Sequence, residues 1–158
     1  MIFVTLGNHY QPFNRLLKEL DNLAKNKIID DVFVQAGYSD YQLKYCAYQK
    51  FIGFNNFASL IKKSVFVITH AGAGSIINIL SLNKPAVVVP RLCKYGEHTN
   101  DHQLQITRAL YKQGKIIPVF DIKKLDIAIK KAEHFKAERV NNSSNVINMI
   151  QEQIDLWF

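Results

Sequence analysis

The sequence predicts an α/β fold built on one doubly wound parallel sheet. Apolar segments of strand length alternate with amphipathic segments of helical periodicity, and two of the strands end in glycine-containing turns that run directly into helices. About six strands are expected, and the usual order for such a Rossmann-like sheet is 3-2-1-4-5-6. With 158 residues and 48% hydrophobic content, the whole chain, residues 1–158, fits a single domain with an ordinary core.

The first half of the chain contains three predicted strands. Met1–Leu6 is apolar throughout, as expected for a buried central strand, and Pro12 precedes a helix with leucines at helical spacing. Val32–Gln35 forms the second strand. The more polar segment Tyr45–Phe51 forms the third, at an edge of the sheet.

The middle of the chain reads strand, glycine turn, helix. A short helix capped by Asn55 or Asn56 precedes the fourth strand, Val65–Thr69, and the turn AGAGS then leads into an apolar helix. The fifth strand, Ala86–Val89, is followed by a loop dense in polar residues. Polar groups therefore gather where two strands end.

The last third alternates in the same way. A helix over residues 101–113 has four candidate buried positions, and a sixth strand and an amphipathic helix follow at residues 116–120 and 125–135. The four positions are Leu104, Ile106, Leu110 and Tyr111. A polar linker caps a terminal helix over residues 145–157 with one apolar face, made of Val146, Ile147, Ile150, Ile154 and Trp157.

Composition and charge narrow the functional classes. Cys46 and Cys93 are far apart and no charged-then-apolar leader is present, which predicts a reduced, cytoplasmic protein. No apolar run reaches the roughly 20 residues that span a bilayer. The net charge of +7 comes largely from lysines mixed with acidic residues at helical spacing, without a nucleic-acid-binding motif. We therefore expect no nucleic-acid partner, and attraction to an anionic membrane or an acidic partner instead.

The predicted strand order places a ligand site at one point of the sheet. Strands one and four are neighbours whose connections leave on opposite faces, so the turn at Gly7 and Asn8 and the turn at residues 70–75 flank a crevice. Backbone amides at a helix N-terminus favour phosphate groups. The sequence thus predicts a nucleotide site, with the polar loop after strand five on the same edge.

Two segments carry a family resemblance. ITHAGAGSIINILSLNKPAVVVPR and GEHTNDHQ resemble the signature of the C-terminal, donor-binding half of glycosyltransferase family 28, and the likeness extends from MIFVTLGN over nearly the whole chain. HAGAGS, a lysine-proline before a valine strand, and GEH with DHQ in this order make it specific. The chain is similar to small free-standing subunits: bacterial exopolysaccharide proteins of the PssE type and the catalytic subunit of the eukaryotic dolichol-pathway UDP-N-acetylglucosamine transferase.

The resemblance implies half of a GT-B glycosyltransferase and a UDP-sugar site. Its two turns would face the diphosphate with Gly7, Asn8, Gly72, Ala73, Gly74 and Ser75. Phe54 falls where relatives bind uracil, and Asp101, His102 and Gln103 match the segment that contacts the donor sugar. Asn78 stands where many relatives have a glutamate that holds the ribose hydroxyls, and an amide is a weaker partner than a carboxylate.

The remaining polar residues near the predicted crevice have two interpretations each. His70 can face the ligand or be a structural histidine, and we favour the ligand; Ser75 can cap the helix, bind phosphate, or do both. Arg91 can neutralise the diphosphate or pair with a neighbouring acid, and the ligand is again favoured. Glu97 and His98 of the GEH segment are also assigned to the nucleotide-sugar site. His98 and His102 have a spacing that suits zinc on a helix, but no third ligand is evident, so we expect no metal and no cofactor.

The implied activity is a two-component, inverting glycosyltransferase. The chain would transfer a sugar from a UDP-sugar to a polyprenyl-diphosphate-linked glycan, in capsule or exopolysaccharide biosynthesis. Its partner would be a membrane-associated, acceptor-binding subunit of the PssD type, which recruits it to the cytoplasmic face of the membrane. The base is expected on the partner, with His98 as the candidate in this chain.

Three questions stay open at this stage. The terminal helix can dock the partner or pack on its own sheet. The chain can also be a regulatory or enhancer subunit that has lost donor binding. The replacement of the usual glutamate by Asn78 supports this alternative. An NAD-dependent enzyme is disfavoured, because the first turn lacks GxGxxG and strand two ends without a ribose-binding acid.

Overall fold

The computed structural model describes residues 1–135 together with residues 147, 148, 150–152 and 155. It confirms the predicted fold class: six parallel strands form one sheet in the order β3-β2-β1-β4-β5-β6. The strands are β1 (Ile2–Thr5), β2 (Val32–Gln35), β3 (Ala47–Gln49), β4 (Val67–Thr69), β5 (Ala86–Val88) and β6 (Ile117–Pro118). The helices are α1 (Asn14–Lys25), α2 (Phe54–Lys63), α3 (Ala73–Ser81), α4 (His102–Lys112) and α5 (Leu125–His134).

Helices cover both faces of the sheet and build a core on each side. On one face α1 and α5 pack over Val4 and Val87, and on the other α2, α3 and α4 pack over Phe3 and Val88. Neighbouring residues of one strand thus enter opposite cores, as the two-residue period of a strand requires. This explains why the central strands are apolar throughout instead of alternating with polar residues.

Several local expectations differ from the structure. Gly53, in an extended conformation, precedes the first turn of α2, whereas Asn55 and Asn56 lie inside that helix. Tyr111 is 49% exposed, because α4 turns Gln103 and Thr107, in place of the tyrosine, toward the sheet. Both polar side chains are satisfied there: Gln103 bonds two loops, and the Thr107 hydroxyl donates to the Gln103 carbonyl at 2.7 Å.

Only part of the terminal segment is described. Ile150 is buried in the core beside α3 and α4, while Ile147 is half exposed. The other predicted positions on this apolar face, Val146, Ile154 and Trp157, lie outside the described residues. Ile150 therefore packs on its own sheet. None of the helices in the described residues is long and apolar enough to cross a membrane.

A buried aspartate fixes the irregular segment between β2 and β3. Asp21 on α1 is 4% exposed. Its carboxylate accepts hydrogen bonds from the backbone N–H groups of Lys44 and Tyr45 at 2.9 and 2.8 Å, and from the Tyr41 hydroxyl at 3.0 Å. One side chain thus holds the segment that leads into the edge strand.

Replacing Asp21 by alanine should lower the free energy of unfolding by about 2–4 kcal/mol, since three donors lose a buried, charged acceptor. Urea denaturation would measure the change. Asp30→Ala, at an exposed position, is the control and should change the free energy by less than about 0.5 kcal/mol. Equal effects of the two substitutions would show that Asp21 does not anchor this segment.

Candidate functional site

A cleft of about 440 Å³ lies at the carboxyl edge of the sheet, between the ends of β1 and β4. This is the point that the strand order predicted. Eight predicted residues line it: Gly7, Asn8, Phe54, His70, Gly72, Gly74, Ser75 and Asn78. Four lining residues were not predicted, namely Thr5, Gln35, Ile52 and Phe57.

The His70 ring occupies the space between the two glycine turns. A Cβ atom on Gly7 would lie 2.4 Å from Cε1 of His70, and one on Gly72 would lie 2.1 Å from its Nε2. Both separations are far below any contact that real Cβ atoms make. Gly7 also has a φ of +71°, which favours glycine independently. The two turns therefore need glycine partly because the histidine ring fills the place of a side chain.

His70 is held in its neutral form. The residue is 7% exposed, and its backbone N–H donates to the Thr5 carbonyl at 3.3 Å. Burial, together with the nearby Arg91 guanidinium, lowers the pKa of His70 to about 3. Its Nδ1 atom is buried without a hydrogen-bond partner. A neutral imidazole in the wall of the cleft can donate to an anionic ligand without carrying charge itself.

The N-terminus of α3 opens into this cleft. Gly72 precedes the first turn, no side chain caps the helix, and the first helical hydrogen bond runs from the Ile76 N–H to the Gly72 carbonyl. The amides of residues 73–75 are consequently left for another acceptor. Ser75 lies within the first turn, so of its two interpretations the structure excludes the helix cap and leaves the phosphate contact as a prediction. A Cβ atom on Gly74 would meet nothing within 4 Å.

A buried polar pair supports the turn after β1. The Thr5 hydroxyl donates to Oε1 of Gln35 at 2.6 Å, and Nε2 of Gln35 donates to the carbonyls of Gly7 and Lys50 at 3.1 and 3.2 Å. Both side chains end otherwise apolar strands. That polar ending was the available sequence signal for these two unpredicted residues.

The far end of the cleft is apolar. Phe54 is 77% exposed at the start of α2, and Ile52 and Phe57 lie beside it in the wall. Phe57 also packs edge-on against Phe3, with ring centroids 5.6 Å apart. Asn78, one helical turn beyond Gly74, donates from Nδ2 to the Gly74 carbonyl at 2.8 Å. Its amide oxygen is the group that remains for a ligand.

Arg91 does not reach the cleft, contrary to the preferred expectation. It is 1% exposed, and its guanidinium donates to the backbone carbonyls of Gln11, Glu97 and Leu6 at 2.7, 3.1 and 2.9 Å. The ring of Phe13 lies 4.8 Å from its central carbon. The guanidinium therefore joins the loops by binding three carbonyls and packing on an aromatic ring. It is not available to bind a diphosphate.

Glu97 is likewise a structural residue, and its partner was not predicted. Its carboxylate is 3% exposed and accepts two hydrogen bonds from Arg15, at 2.8 and 2.9 Å, and one from the Leu92 N–H at 3.0 Å. Arg15 lies on α1, far from Glu97 in sequence, and its position in the sequence pattern is that of an ordinary exposed helix residue. Neither Arg15 nor Glu97 lines the cleft.

The side chains of residues 101–103 contact three different parts of the structure. Oε1 of Gln103 accepts hydrogen bonds from the backbone N–H groups of Ala71 and Arg91 at 3.2 and 3.1 Å, so it joins the loops after β4 and β5. Asp101 accepts from the Cys93 N–H at 2.9 Å and lines a different cavity. His102 lies near Oε1 of Gln105, at 3.2 Å from Nδ1. These three residues lie outside the cleft lining, and Ala73 also falls outside it.

His98 lies in a small aromatic cluster at the same edge. Its ring stacks on His9, with centroids 4.5 Å apart. Its Nδ1 atom accepts a hydrogen bond from the Asn100 N–H at 3.4 Å. Burial, His9 and Arg91 lower the pKa of His98. Within the described residues, no group of three histidine, cysteine or acidic side chains could hold a metal ion.

Comparison with known proteins identifies relatives of the chain. Residues 1–155 match the model of the glycosyltransferase family 28 C-terminal domain. The UDP-N-acetylglucosamine transferase subunit ALG13 of Cryptococcus neoformans is 40% identical over 65 residues, covering 40% of this chain and 30% of the relative. The ALG13 subunit of Candida albicans is 32% identical over 91 residues, covering 58% and 29%. These alignments span less than a third of either relative.

Two solved structures show the same fold. The NMR solution structure of ALG13 has a TM-score of 0.66 at 18% identity, with coverage of 98% of this chain and 96% of that one. The crystal structure of MurG from Acinetobacter baumannii has a TM-score of 0.54 at 17% identity, with coverage of 94% and 49%. This chain therefore matches about half of the larger protein.

Gly72→Ala should destabilise the chain by about 1–3 kcal/mol, because the new methyl group overlaps Nε2 of His70. Gly74→Ala adds the same methyl group in open space and is the matched control, which should be neutral or slightly stabilising. Thermal denaturation would compare the two. Adding His70→Ala to Gly72→Ala should make the cost of the methyl group disappear, and an unchanged cost in that background would exclude this overlap.

Stability should fall on acidification because of His70. Its pKa of about 3 in the folded protein lies below the ordinary value of about 6.5, so the unfolded chain binds the extra proton between these two pH values. The free energy of unfolding should decrease by up to about 1.4 kcal/mol per pH unit as pH falls through this window. His70→Asn should flatten the curve in urea titrations, whereas the exposed His134→Asn should leave it unchanged.

Proposed function

The chain belongs to glycosyltransferase family 28, as a C-terminal domain of that family, and we propose that it is the donor-binding, catalytic subunit of a UDP-sugar-dependent glycosyltransferase. The observation that carries this proposal is the cleft at the switch point of the sheet, into which the uncapped N-terminus of α3 opens between two glycine turns. The ALG13 relatives are named as UDP-N-acetylglucosamine transferase subunits, which supports the same activity.

The diphosphate of the donor would lie against the first turn of α3. The amides of residues 73–75 have no helical acceptor, and the helix dipole adds partial positive charge at the same place. With Arg91 buried among backbone carbonyls, these amides, the neutral His70 ring and the Ser75 hydroxyl are donors at this end of the cleft. Stabilisation of the departing UDP would come from the same groups, because negative charge grows on the diphosphate as the glycosidic bond breaks.

The nucleoside would extend along the apolar end of the cleft. Ile52, Phe54 and Phe57 offer a surface for the uracil ring, and the free amide oxygen of Asn78 can accept a ribose hydroxyl. On the opposite side, Gln103 would act on the donor sugar indirectly, because its oxygen holds the backbone amides of Ala71 and Arg91 and so positions the two loops beside the cleft. Binding would need neither a metal nor a cofactor, because backbone amides meet the charge of the diphosphate.

The transfer itself requires a partner in this proposal. A base removes the proton of the acceptor hydroxyl, whose oxygen attacks the anomeric carbon while UDP leaves from the opposite face. The candidate base of this chain, His98, already accepts a hydrogen bond at Nδ1, so we place the base on a membrane-associated, PssD-like subunit. That subunit would present a polyprenyl-diphosphate-linked acceptor at the cytoplasmic face of the membrane, in capsule or exopolysaccharide biosynthesis.

One observation favours a second candidate function. Asn78 stands where many relatives have a glutamate, and its uncharged amide oxygen is a weaker acceptor for the ribose hydroxyls than a carboxylate. A regulatory or enhancer subunit without donor binding would tolerate that loss. Such a subunit should show no affinity for UDP either alone or assembled with its partner.

Gly74→Val should abolish UDP binding without loss of stability. Its Cβ atom enters open space in the cleft, where a diphosphate would meet the side chain instead of the amides. Calorimetric titration with UDP, UDP-glucose, UDP-galactose and UDP-N-acetylglucosamine should show at least about 100-fold weaker binding, equivalent to about 2.7 kcal/mol. The tightest ligand would identify the sugar.

The matched control is Gly53→Val, which also adds a side chain in open space near a helix N-terminus, at the residue that precedes α2, but outside the cleft lining. It should bind UDP like the unmodified chain. If the isolated chain does not bind, the titration is repeated on its complex with the partner subunit. Absence of binding there as well would reject the donor-binding proposal and leave the regulatory one.

A further inference from the structure

A second cavity, of about 640 Å³, lies against the outer side of α4 and plays no part in the proposed nucleotide site. We call it the α4 cavity. Its lining consists of Leu92, Lys94, Asp101, Leu104, Arg108, Tyr111, Lys112 and Phe120. Its volume is within the roughly 300–1,000 Å³ of small-molecule pockets.

The floor of the α4 cavity is apolar and accessible. Tyr111 is 49% exposed and Phe120 is 45% exposed, while Leu92 is 9% exposed at the base. Leu104 lies on the same face of α4, two helical turns before Tyr111. Together these side chains expose apolar surface in a concave site, which is costly to hydrate and favours an apolar ligand.

The rim of the α4 cavity is cationic. Lys94, Arg108 and Lys112 are exposed, and the ion pairs found among the described residues involve none of them. The only carboxylate in the lining, that of Asp101, already accepts a hydrogen bond from the Cys93 N–H at 2.9 Å. Three cations around one engaged carboxylate leave net positive charge, which attracts an anionic head group.

We propose that the α4 cavity binds one molecule of a phosphate-bearing lipid, with the phosphate at Arg108 and Lys112 and the first carbons of the chain on Leu104, Tyr111 and Phe120. Free phosphate would make no use of the apolar floor, and a neutral lipid would make no use of the cations. An acidic amphipathic helix of another protein is a poorer match, because the cavity follows little more than two turns of α4.

The position of the α4 cavity relates it to the proposed reaction, on which this inference rests. Gln103 holds the loop that enters α3, and the next residue, Leu104, lines the α4 cavity. Both sites therefore lie at the same edge of the sheet, with the start of α4 between them. A phosphate at Arg108 and Lys112 would lie one to two helical turns beyond Leu104 along α4, so the cavity would hold a lipid beside the donor site and leave the acceptor to the partner subunit.

Farnesyl diphosphate, below its micelle concentration, is the probe for the test. Calorimetry on the full chain should show binding at least tenfold tighter than that of farnesol or of inorganic diphosphate, because only the farnesyl compound satisfies both the floor and the rim. The Gly74→Val variant should bind it unchanged, since that substitution blocks the nucleotide cleft. Loss of binding in Gly74→Val would place the probe in the nucleotide cleft and overturn the inference.

Two further variants test the lining. Arg108→Gln combined with Lys112→Gln should weaken farnesyl diphosphate binding about tenfold or more, whereas Lys130→Gln combined with Lys131→Gln removes equal charge from α5, on the opposite face of the sheet, and should have no effect. Phe120→Ser should weaken binding of the farnesyl compound but not of inorganic diphosphate. Equal losses in the two double variants would show a general charge effect and overturn the proposed site.

Vesicles separate a single bound lipid from an anionic surface. Phosphatidylglycerol vesicles that bind through Arg108 and Lys112, without any binding of monomeric farnesyl diphosphate, would overturn the proposal in favour of a membrane-facing patch. UDP titration of the double variant Arg108→Gln, Lys112→Gln should match that of the unmodified chain. The lipid proposal can therefore fail while donor binding stands, and the reverse also holds.

Discussion

The buried guanidinium of Arg91 is the interaction on which the edge of this sheet depends. Its three hydrogen bonds end on carbonyls of the β1 loop and the β5 loop, which are separated by most of the domain in sequence. Burial lowers its pKa to about 10, so it remains charged at neutral pH. The cost of burying this charge is offset by the carbonyls, by the face of Phe13 and by the nearby Glu97 carboxylate. Glu97 in turn pairs with Arg15 of α1, so one polar network connects two loops and a helix.

The candidate site is positioned by the same network of Arg91, Glu97 and Arg15. Oε1 of Gln103 accepts from the backbone of Arg91 and of Ala71, which transmits the position of the β5 loop to the turn that opens α3. His70, next to Ala71, then fills the space between Gly7 and Gly72, and the Arg91 charge helps to keep it neutral. The cleft is therefore neutral on its histidine side and rich in amide donors on its helix side. This combination suits a ligand whose charge is spread over a diphosphate.

Much of the fold and two-thirds of the cleft lining, eight of twelve residues, were predictable from the sequence. The period of apolar residues and the glycine turns predicted the sheet, its order and the switch point, because these depend on backbone geometry and on the handedness of crossovers. Gly7, His70, Gly72 and Gly74 were found in that way, since they adjoin the ends of the strands. We assigned Arg91, Glu97 and Asp101 to the ligand because they lie in a polar loop beside the site. The sequence of such a loop does not show whether its side chains contact the ligand or each other. Tyr111 was assigned to the core for a similar reason: helical spacing identifies a face, but not which neighbour covers it.

The sequence by itself determined the architecture of this protein, its switch-point cleft and its family, since local periodicity and a specific motif in order suffice for them. The tertiary structure alone decided which polar side chains line the cleft and which join the loops to each other. Arg15 meets Glu97 across 82 positions of sequence, and Arg91 meets Leu6 across 85. No local pattern encodes such contacts, because burial and hydrogen-bond geometry exist only after the loops have met. The α4 cavity arose in the same way, from residues of two loops and one helix that share no motif.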